Sequence, residues 1–241
     1  MAEFGLIGRD LSHSFSAEFF NSKFEKEKLM HRYSNFDLPN LNNLREVVKR
    51  ERLTGMNVTI PYKTEIIGQL DRLDAVAVAI GAVNTVKSTP TGLEGYNTDA
   101  FGFEKSLKKH LLPSHNKALV LGTGGASKAV CFVLKSMNID FTSVSRNPKI
   151  SQYSYTQLDT ETISCHPLII NCTPVGTFPK VEYFPNIPYE GIGQGHLLFD
   201  LVYNPAETEF LKRGKHFGAQ VVNGLDMLIF QAEKAWEIWM D

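Results

Sequence analysis

The chain has 241 residues, 43% of them hydrophobic and 21% charged, a balance that excludes general disorder and leaves enough apolar material for a large core. Lys and Arg total 25 against 26 Asp and Glu, for a net charge of −1, which argues against nucleic acid as a partner, since that needs a concentrated positive field. Three cysteines without CxxC spacing, and no apolar run of about 18 residues, lead to the expectation of a cytoplasmic protein with neither a disulfide framework nor a membrane partner.

Along the chain, short apolar segments alternate with amphipathic ones, as in an α/β protein. The pattern predicts a first strand over Glu3–Gly8 and a helix over residues 16–28 with Ser16 as its N-cap. A weak strand follows at 33–36. Residues 41–52 read as an amphipathic helix, with Leu41, Leu44 and Val48 on one face. A strand at 55–60 ends at Pro61. Residues 63–73 read as helical and 82–87 as extended. A connecting helix over 100–112 and a turn at Pro113 lead to a second series: strand 118–121, helix 127–136, then strands 141–144, Leu168–Asn171 and 197–202. The last run, 225–239, is an amphipathic helix with apolar residues at 225, 228, 232, 235, 236 and 239. The expected architecture is two α/β domains, with this last helix returning to the first.

Ala118-Leu119-Val120-Leu121-Gly122-Thr123-Gly124-Gly125-Ala126-Ser127 reads as strand, glycine turn and helix start. Glycines at 122 and 124 allow a tight turn and close approach of backbone to a pyrophosphate. The helix N-terminus beyond them offers free N–H groups and a positive dipole end. Ser127 stands where the third glycine of GxGxxG would be. The next strand ends at Ser145-Arg146-Asn147, where an NAD site would carry an acid for the ribose 2′-hydroxyl. A guanidinium pairs with a 2′-phosphate and a carboxylate repels it, so the expected cofactor is NADP.

In the first half, small polar residues cluster where strands end. Asn57 and Thr59 share a strand face, and Lys63 follows the turn at Pro61. Asp99 is the only acid beside Asn97 and Thr98. A lysine and an aspartate facing one small ligand make an acid–base pair, the lysine giving a proton to a carbonyl oxygen as hydride arrives. The plainer readings are a surface lysine and an N-cap for a helix from Ala100. The seven histidines show no HxxxH spacing, and no metal is expected.

These segments resemble the successive motifs of the shikimate dehydrogenase family. They are Ser14-Phe15-Ser16, Asn57-Val58-Thr59-Ile60-Pro61-Tyr62-Lys63, Gly81-Ala82-Val83-Asn84-Thr85, Gly95-Tyr96-Asn97-Thr98-Asp99, the glycine loop at 122–127, Asn171-Cys172-Thr173-Pro174-Val175-Gly176 and Asn223-Gly224-Leu225-Asp226-Met227-Leu228, with Gln231-Ala232 beyond. They occur in the family's order over nearly the whole chain. The resemblance implies NADPH-dependent, reversible reduction of 3-dehydroshikimate to shikimate, with Lys63 and Asp99 catalytic. It implies that Ser14 and Ser16 hold the substrate carboxylate with help from Tyr203, and that Thr59, Asn84 and Gln231 bond the ring hydroxyls beside Lys63 and Asp99. For the cofactor it implies Gly122, Gly124, Gly125, Ala126, Ser127, Ser145 and Arg146, a loop of Thr173 and Val175 near the nicotinamide, and Gly224 near its amide.

The fold so implied has an N-terminal α/β substrate domain (residues 1–99 with 222–241) and a Rossmann-type NADP-binding domain (100–221), in a monomer or homodimer. This chain has Ala17 where the family often has Pro, and Phe20-Asn21 where it often has His before the Asn. Two alternatives stay open: a dehydrogenase preferring NAD or quinate, and a catalytically silent NADP-binding module. Turnover with each cofactor and substrate separates them.

Overall fold

The alternating segments form two units, Met1–Thr98 with Ala232–Asp241, and Asp99–Gln231. The structure, a computed structural model, describes residues 1–11 and 15–241.

The first unit contains β1 (Glu3–Gly8), α1 (Phe15–Lys26), β2 (Arg32–Asp37), α2 (Leu44–Glu51), β3 (Leu53–Val58), β4 (Arg72–Leu73), α3 (Ala75–Ile80), β5 (Thr85–Thr89) and β6 (Gly92–Tyr96). Its mixed sheet has the order β2-β1-β3-β5-β6-β4. β1 lies parallel to both β2 and β3, whereas β5 runs antiparallel to β3 and β6. Alternation along β1 sends Phe4 and Leu6 to one core and Ile7 to another, so both faces of the sheet are covered. The Ile7 core takes in Leu44, Val48, Met56 and Tyr62. The Phe4 core is aromatic, with Phe20, Phe24, Tyr33 and Trp239.

Three expectations change here. Helix α1 starts at Phe15, so Ser16 lies in its first turn and does not cap it. Residues 63–73 form no long helix. A turn with a cis Ile60–Pro61 bond leads to a 3-10 helix at Glu65–Gln69 and then to β4, which pairs with β6. The carboxylate of Asp71 accepts the Leu93 N–H at 2.7 Å and bonds Arg45 at 2.9 Å, so tertiary partners draw this segment to the sheet edge. Helix α3, unforeseen, is capped by Asp74, whose carboxylate accepts the N–H groups of Val76 and Ala77, and it ends at Gly81 with φ 67°.

Helix α4 (Thr98–Leu107) opens the second series, followed by β7 (Lys117–Leu121), α5 (Gly125–Ser136), β8 (Asp140–Ser145), β9 (Tyr153–Ser154), α6 (Thr160–Ser164), β10 (Leu168–Asn171), β11 (Leu197–Asp200), α7 (Glu209–His216), β12 (Gln220–Val222) and α8 (Leu225–Met240). Since α4 starts at Thr98, Asp99 lies inside its first turn and is not an N-cap for a helix from Ala100. The sheet is wholly parallel, in the order β12-β11-β10-β7-β8-β9. Counted from β7, that is 3-2-1-4-5-6, the doubly wound dinucleotide-binding order, with its switch point between β7 and β10. The central strands β7, β10 and β11 are nearly continuous apolar runs and almost wholly buried, as in a parallel sheet covered on both faces.

From Ala232 onward α8 belongs to the first unit. Ala232, Ala235 and Trp239 join the aromatic core, and Trp239 donates from Nε1 to the Val86 carbonyl at 3.0 Å. A Cβ on Gly55 would overlap the Trp239 ring. Among the described residues no helix is long and apolar enough to cross a membrane.

Candidate active site

In the first unit the polar residues gather where β1 and β3 end. Thr59, just past β3, donates its N–H to the Ile7 carbonyl at 2.9 Å and receives the Tyr62 N–H on its own carbonyl at 2.9 Å. This closes the turn that leads to Lys63. The Lys63 carbonyl accepts the Val83 N–H at 2.7 Å, which sets it beside the segment carrying Asn84. Tyr62 anchors the turn from below: it is buried, and its hydroxyl donates to the Leu38 carbonyl at 2.5 Å.

Asn84 is buried. Its carbonyl accepts the Val58 N–H at 2.8 Å. Its Oδ1 accepts the Thr98 N–H at 2.7 Å, and its Nδ2 donates to Thr98 Oγ1 at 2.9 Å. The asparagine side chain therefore fixes the residue before Asp99. Ser16 is half-buried in the first turn of α1. Ser14 lies outside the described residues.

Two further polar residues in this unit had not been singled out as site residues. Asn57 is buried on β3, donating from Nδ2 to the Asn84 carbonyl at 3.3 Å and to Thr85 Oγ1 at 3.2 Å. Tyr33 donates from its hydroxyl to Asn57 Oδ1 at 2.8 Å. Asn57 shares a strand face with Thr59 and could have been found that way, whereas nothing local to Tyr33 in the sequence distinguishes it from a core tyrosine.

In the second unit, Asp99 is buried at the start of α4, where the helix dipole favours a carboxylate. One turn on, α4 crosses α8 at Gly102. A Cβ there would stand 2.5 Å from the Met227 carbonyl and 3.0 Å from Cβ of Gln231. Residues three apart share a helix face, so Asp99 and Gln231 belong to adjoining faces of the crossing. Gln231 is buried, with its amide nitrogen donating to the Leu228 carbonyl at 2.9 Å.

The glycine loop sits at the switch point. Gly122 has φ 104°, so the backbone conformation favours glycine there, and a Cβ on it would press on Thr173 Cγ2 at 3.0 Å. Gly124 caps α5 with ordinary φ of −80°, and a Cβ on it would meet open space. Gly125 and Ala126 start the helix behind it. Ser127 is buried, and its hydroxyl donates to the Gly124 carbonyl at 2.7 Å. It packs where the third glycine of the fingerprint would, and its proton holds the loop. Ser145 ends β8 and accepts the Asn147 N–H at 3.2 Å. Arg146 is exposed, and no carboxylate among the described residues pairs with it. Its charge is felt at the Tyr155 hydroxyl, where burial dominates and raises the pKa.

Beyond β10, Asn171 organises the next loop. Its Oδ1 accepts the Thr173 hydroxyl at 2.6 Å and the Thr173 N–H at 3.0 Å, and Thr173 Oγ1 accepts the Val175 N–H at 3.3 Å. Gly224 precedes α8 and donates to the Val202 carbonyl at 3.1 Å. A Cβ there would overlap the Leu201 carbonyl, so its glycine is explained by packing on the strand-end backbone. Tyr203 lies half-buried in the loop after β11, ahead of a cis Asn204–Pro205 bond. Among the described residues no group of three or more His, Cys, Asp or Glu could hold a metal ion.

Residues 6–86 match the family model described as the shikimate dehydrogenase substrate binding domain. The shikimate dehydrogenase (NADP(+)) of Methanococcus vannielii is 39% identical over 98% of this chain and 90% of its own length. The crystal structure of a chorismate mutase/shikimate 5-dehydrogenase fusion protein from Clostridium acetobutylicum is 38% identical, covering 99% of this chain and 91% of that one with a TM-score of 0.87. Shikimate 5-dehydrogenase from Thermus thermophilus, solved in complex with NADP(H) and shikimate, is 33% identical, with 99% and 93% coverage and a TM-score of 0.87. With identity of this order over nearly the full length of both chains, the protein belongs to the shikimate dehydrogenase family.

Proposed function

We propose that the chain catalyses the reversible, NADPH-dependent reduction of 3-dehydroshikimate to shikimate, a step of chorismate and aromatic amino acid biosynthesis, in the cytoplasm and as a monomer or homodimer. The observation that carries the reading is the bond between Asn84 and Thr98. One peptide bond separates the proposed catalytic carboxylate, Asp99, from the network that holds a proposed substrate-binding amide.

In this reading residues 1–99 with 222–241 bind the substrate and 100–221 bind the dinucleotide. Ser14 and Ser16 donate to the substrate carboxylate without adding charge, and Tyr203 assists. Thr59, Asn84 and Gln231 bond the ring hydroxyls. Lys63 gives a proton to the carbonyl oxygen being reduced, and Asp99 orients that oxygen and balances the lysine charge. For the cofactor, the open surface at Gly124 and the helix start at Gly125, Ala126 and Ser127 fit a pyrophosphate. Gly122 lets the loop pass close to Thr173. Arg146 and Ser145 fit a 2′-phosphate, and Thr173, Val175 and Gly224 flank the nicotinamide. When bound, the nicotinamide supplies the hydride.

The test is absorbance at the reduced-nicotinamide band with shikimate or quinate and with NADP or NAD. Turnover of shikimate with NADP alone is expected. Equal turnover with NAD or quinate would move the assignment to a broader dehydrogenase, and none with any pair would leave a binding module.

A further inference from the structure

Asp200 is fully buried at the end of β11, the strand between β10 and β12. Its Oδ1 accepts from Asn171 Nδ2 at 2.9 Å and from the Val202 N–H at 3.0 Å, and its Oδ2 accepts the Thr208 hydroxyl at 2.6 Å. The two donors on Oδ1 lead to different loops. Through Asn171 the carboxylate reaches Thr173 and Val175, beyond β10. Through Val202, whose carbonyl accepts the Gly224 N–H at 3.1 Å, it reaches the turn between β12 and α8. Dinucleotides bind across the carboxyl ends of the strands in such a sheet. One side chain at the end of the middle strand thus ties the loop on one side to the turn on the other.

The carboxylate also fixes which way the Asn171 amide points. The Thr173 N–H can only donate, and Asn171 Oδ1 meets it at 3.0 Å while taking the Thr173 hydroxyl at 2.6 Å. An ionised carboxylate can only accept, so Asp200 admits only Nδ2 on its side. Both neighbours of the amide therefore demand the same orientation. With its proton given to Asn171, Thr173 Oγ1 accepts the Val175 N–H at 3.3 Å, which carries the order along the loop.

We propose that Asp200 is a positioning residue for the nicotinamide end of the dinucleotide, holding the loop of Thr173 and Val175 in register with Gly224 through Asn171 and Val202. The inference rests on the reading of that loop and of Gly224 as the flanks of the nicotinamide. In the same reading the adenosine end is served by the helix start at Gly125 and by Arg146, which none of these bonds reaches. Asp200 therefore acts on where the ring lies and not on how the adenosine phosphates are held. Misplacing a reacting ring by about 1 Å costs on the order of 10² in rate.

Asp200→Leu is close in shape and offers no acceptor. The measured quantity is the first-order rate constant for oxidation of prebound NADPH by saturating 3-dehydroshikimate in a single turnover, which does not depend on the folded fraction. It is expected to fall roughly 10–100-fold, while the Kd of adenosine 2′,5′-bisphosphate, which lacks the nicotinamide, stays within about twofold. Asp200→Asn keeps Oδ1 for Asn171 and Val202 and should retain the rate constant within about threefold. Thr208→Val removes only the bond to Oδ2, and it should lower Tm and leave the rate constant within about twofold. Should Asp200→Leu not fold, Asp200→Ser replaces it, because its short side chain cannot reach both donors. An unchanged rate constant in the folded acceptor-less variant, or a loss of bisphosphate affinity as large as the loss of rate, overturns the inference. Val175→Phe crowds the proposed place of the ring. If it leaves the rate constant unchanged, the reading of the loop as a flank of the nicotinamide is what fails, and this inference goes with it.

Discussion

Asn171 donates from Nδ2 to Oδ1 of Asp200 over 2.9 Å, so a buried carboxylate at the end of β11 orients the amide whose oxygen carries the Thr173 loop. Asp200 also accepts the Thr208 hydroxyl at 2.6 Å and the Val202 N–H at 3.0 Å. One side chain thereby joins the ends of β10 and β11 to the cap of α7.

Burial pushes the Asp200 carboxyl up to about 6, against the pull of the bonds from Thr208, Val202 and Asn171. The titratable groups near it are Cys172 and Tyr189, with the Arg213 cation beside Tyr189. The folded-state pKa lies above the ordinary 3.8, so the native state binds the extra proton between those two values. Stability from this group therefore falls as pH rises from about 4 to about 6, by about 3 kcal/mol. His115 and His166, held below their ordinary value by burial, work in the opposite sense, losing stability as pH falls. The difference in Tm between Asp200→Asn and the parent chain isolates the carboxylate. It is expected to favour the variant more at pH 7 than at pH 4.5, and a constant difference would remove the assignment.

Lys63→Ala is expected to lower kcat by about 10²–10⁴, the range for loss of a general acid, with a much smaller rise in KM. Steady-state kinetics at saturating shikimate and NADP checks this. An unchanged kcat would remove Lys63 from the proton transfer.

Arg146→Ala is expected to weaken NADP by roughly 10–100-fold, the worth of a hydrogen bond to a charged group, and to change NAD little. Cofactor titration by fluorescence provides the comparison. Parallel losses for both dinucleotides would mean that Arg146 does not read the 2′-phosphate.

Two glycines should separate packing from binding. A Cβ at Gly224 overlaps the Leu201 carbonyl, so Gly224→Ala is expected to cost about 1–3 kcal/mol of stability by overpacking. A Cβ at Gly124 meets nothing within 4 Å, so Gly124→Ala should keep its Tm and lose affinity for NADP. A matching loss of Tm in both variants would contradict this.

Trp239→Ala is expected to cost about 3–5 kcal/mol, the range for emptying a buried aromatic site, and to be seen as an earlier urea midpoint. It removes the filler against Gly55 and the bond to Val86. A shift no larger than that of an exposed substitution would show that the end of α8 contributes little to the first unit.

Much of the fold was legible because its strands are strongly patterned. Leu168–Asn171 appears in the structure with the bounds read from the sequence, and Glu3–Gly8 likewise. The losses came where long-range bonds overrule local pattern. Residues 72–73 pair with β6 because Asp71 finds Arg45 and the Leu93 N–H, and neither partner is near in sequence. Helix α7 was missed although Thr208 caps it and Phe210 and Leu211 fill its inner face, because the segment is short and half of it is charged. Asn171 and Asp200 lie 29 positions apart and meet only because β10 and β11 are parallel neighbours.

The amino-acid sequence alone carried the glycine turn, Arg146 after β8, and the ordered motifs around Lys63 and Asp99. Each of these is chemistry written in contiguous residues. It could not carry the partners of those residues. That Ser127 spends its hydroxyl on Gly124, that Tyr33 donates to Asn57, and that Gly224 is needed against Leu201 are consequences of packing. A hydrogen bond or a steric overlap depends on distances between segments, and those distances exist only once the sheets have set their strand order and the helices have crossed.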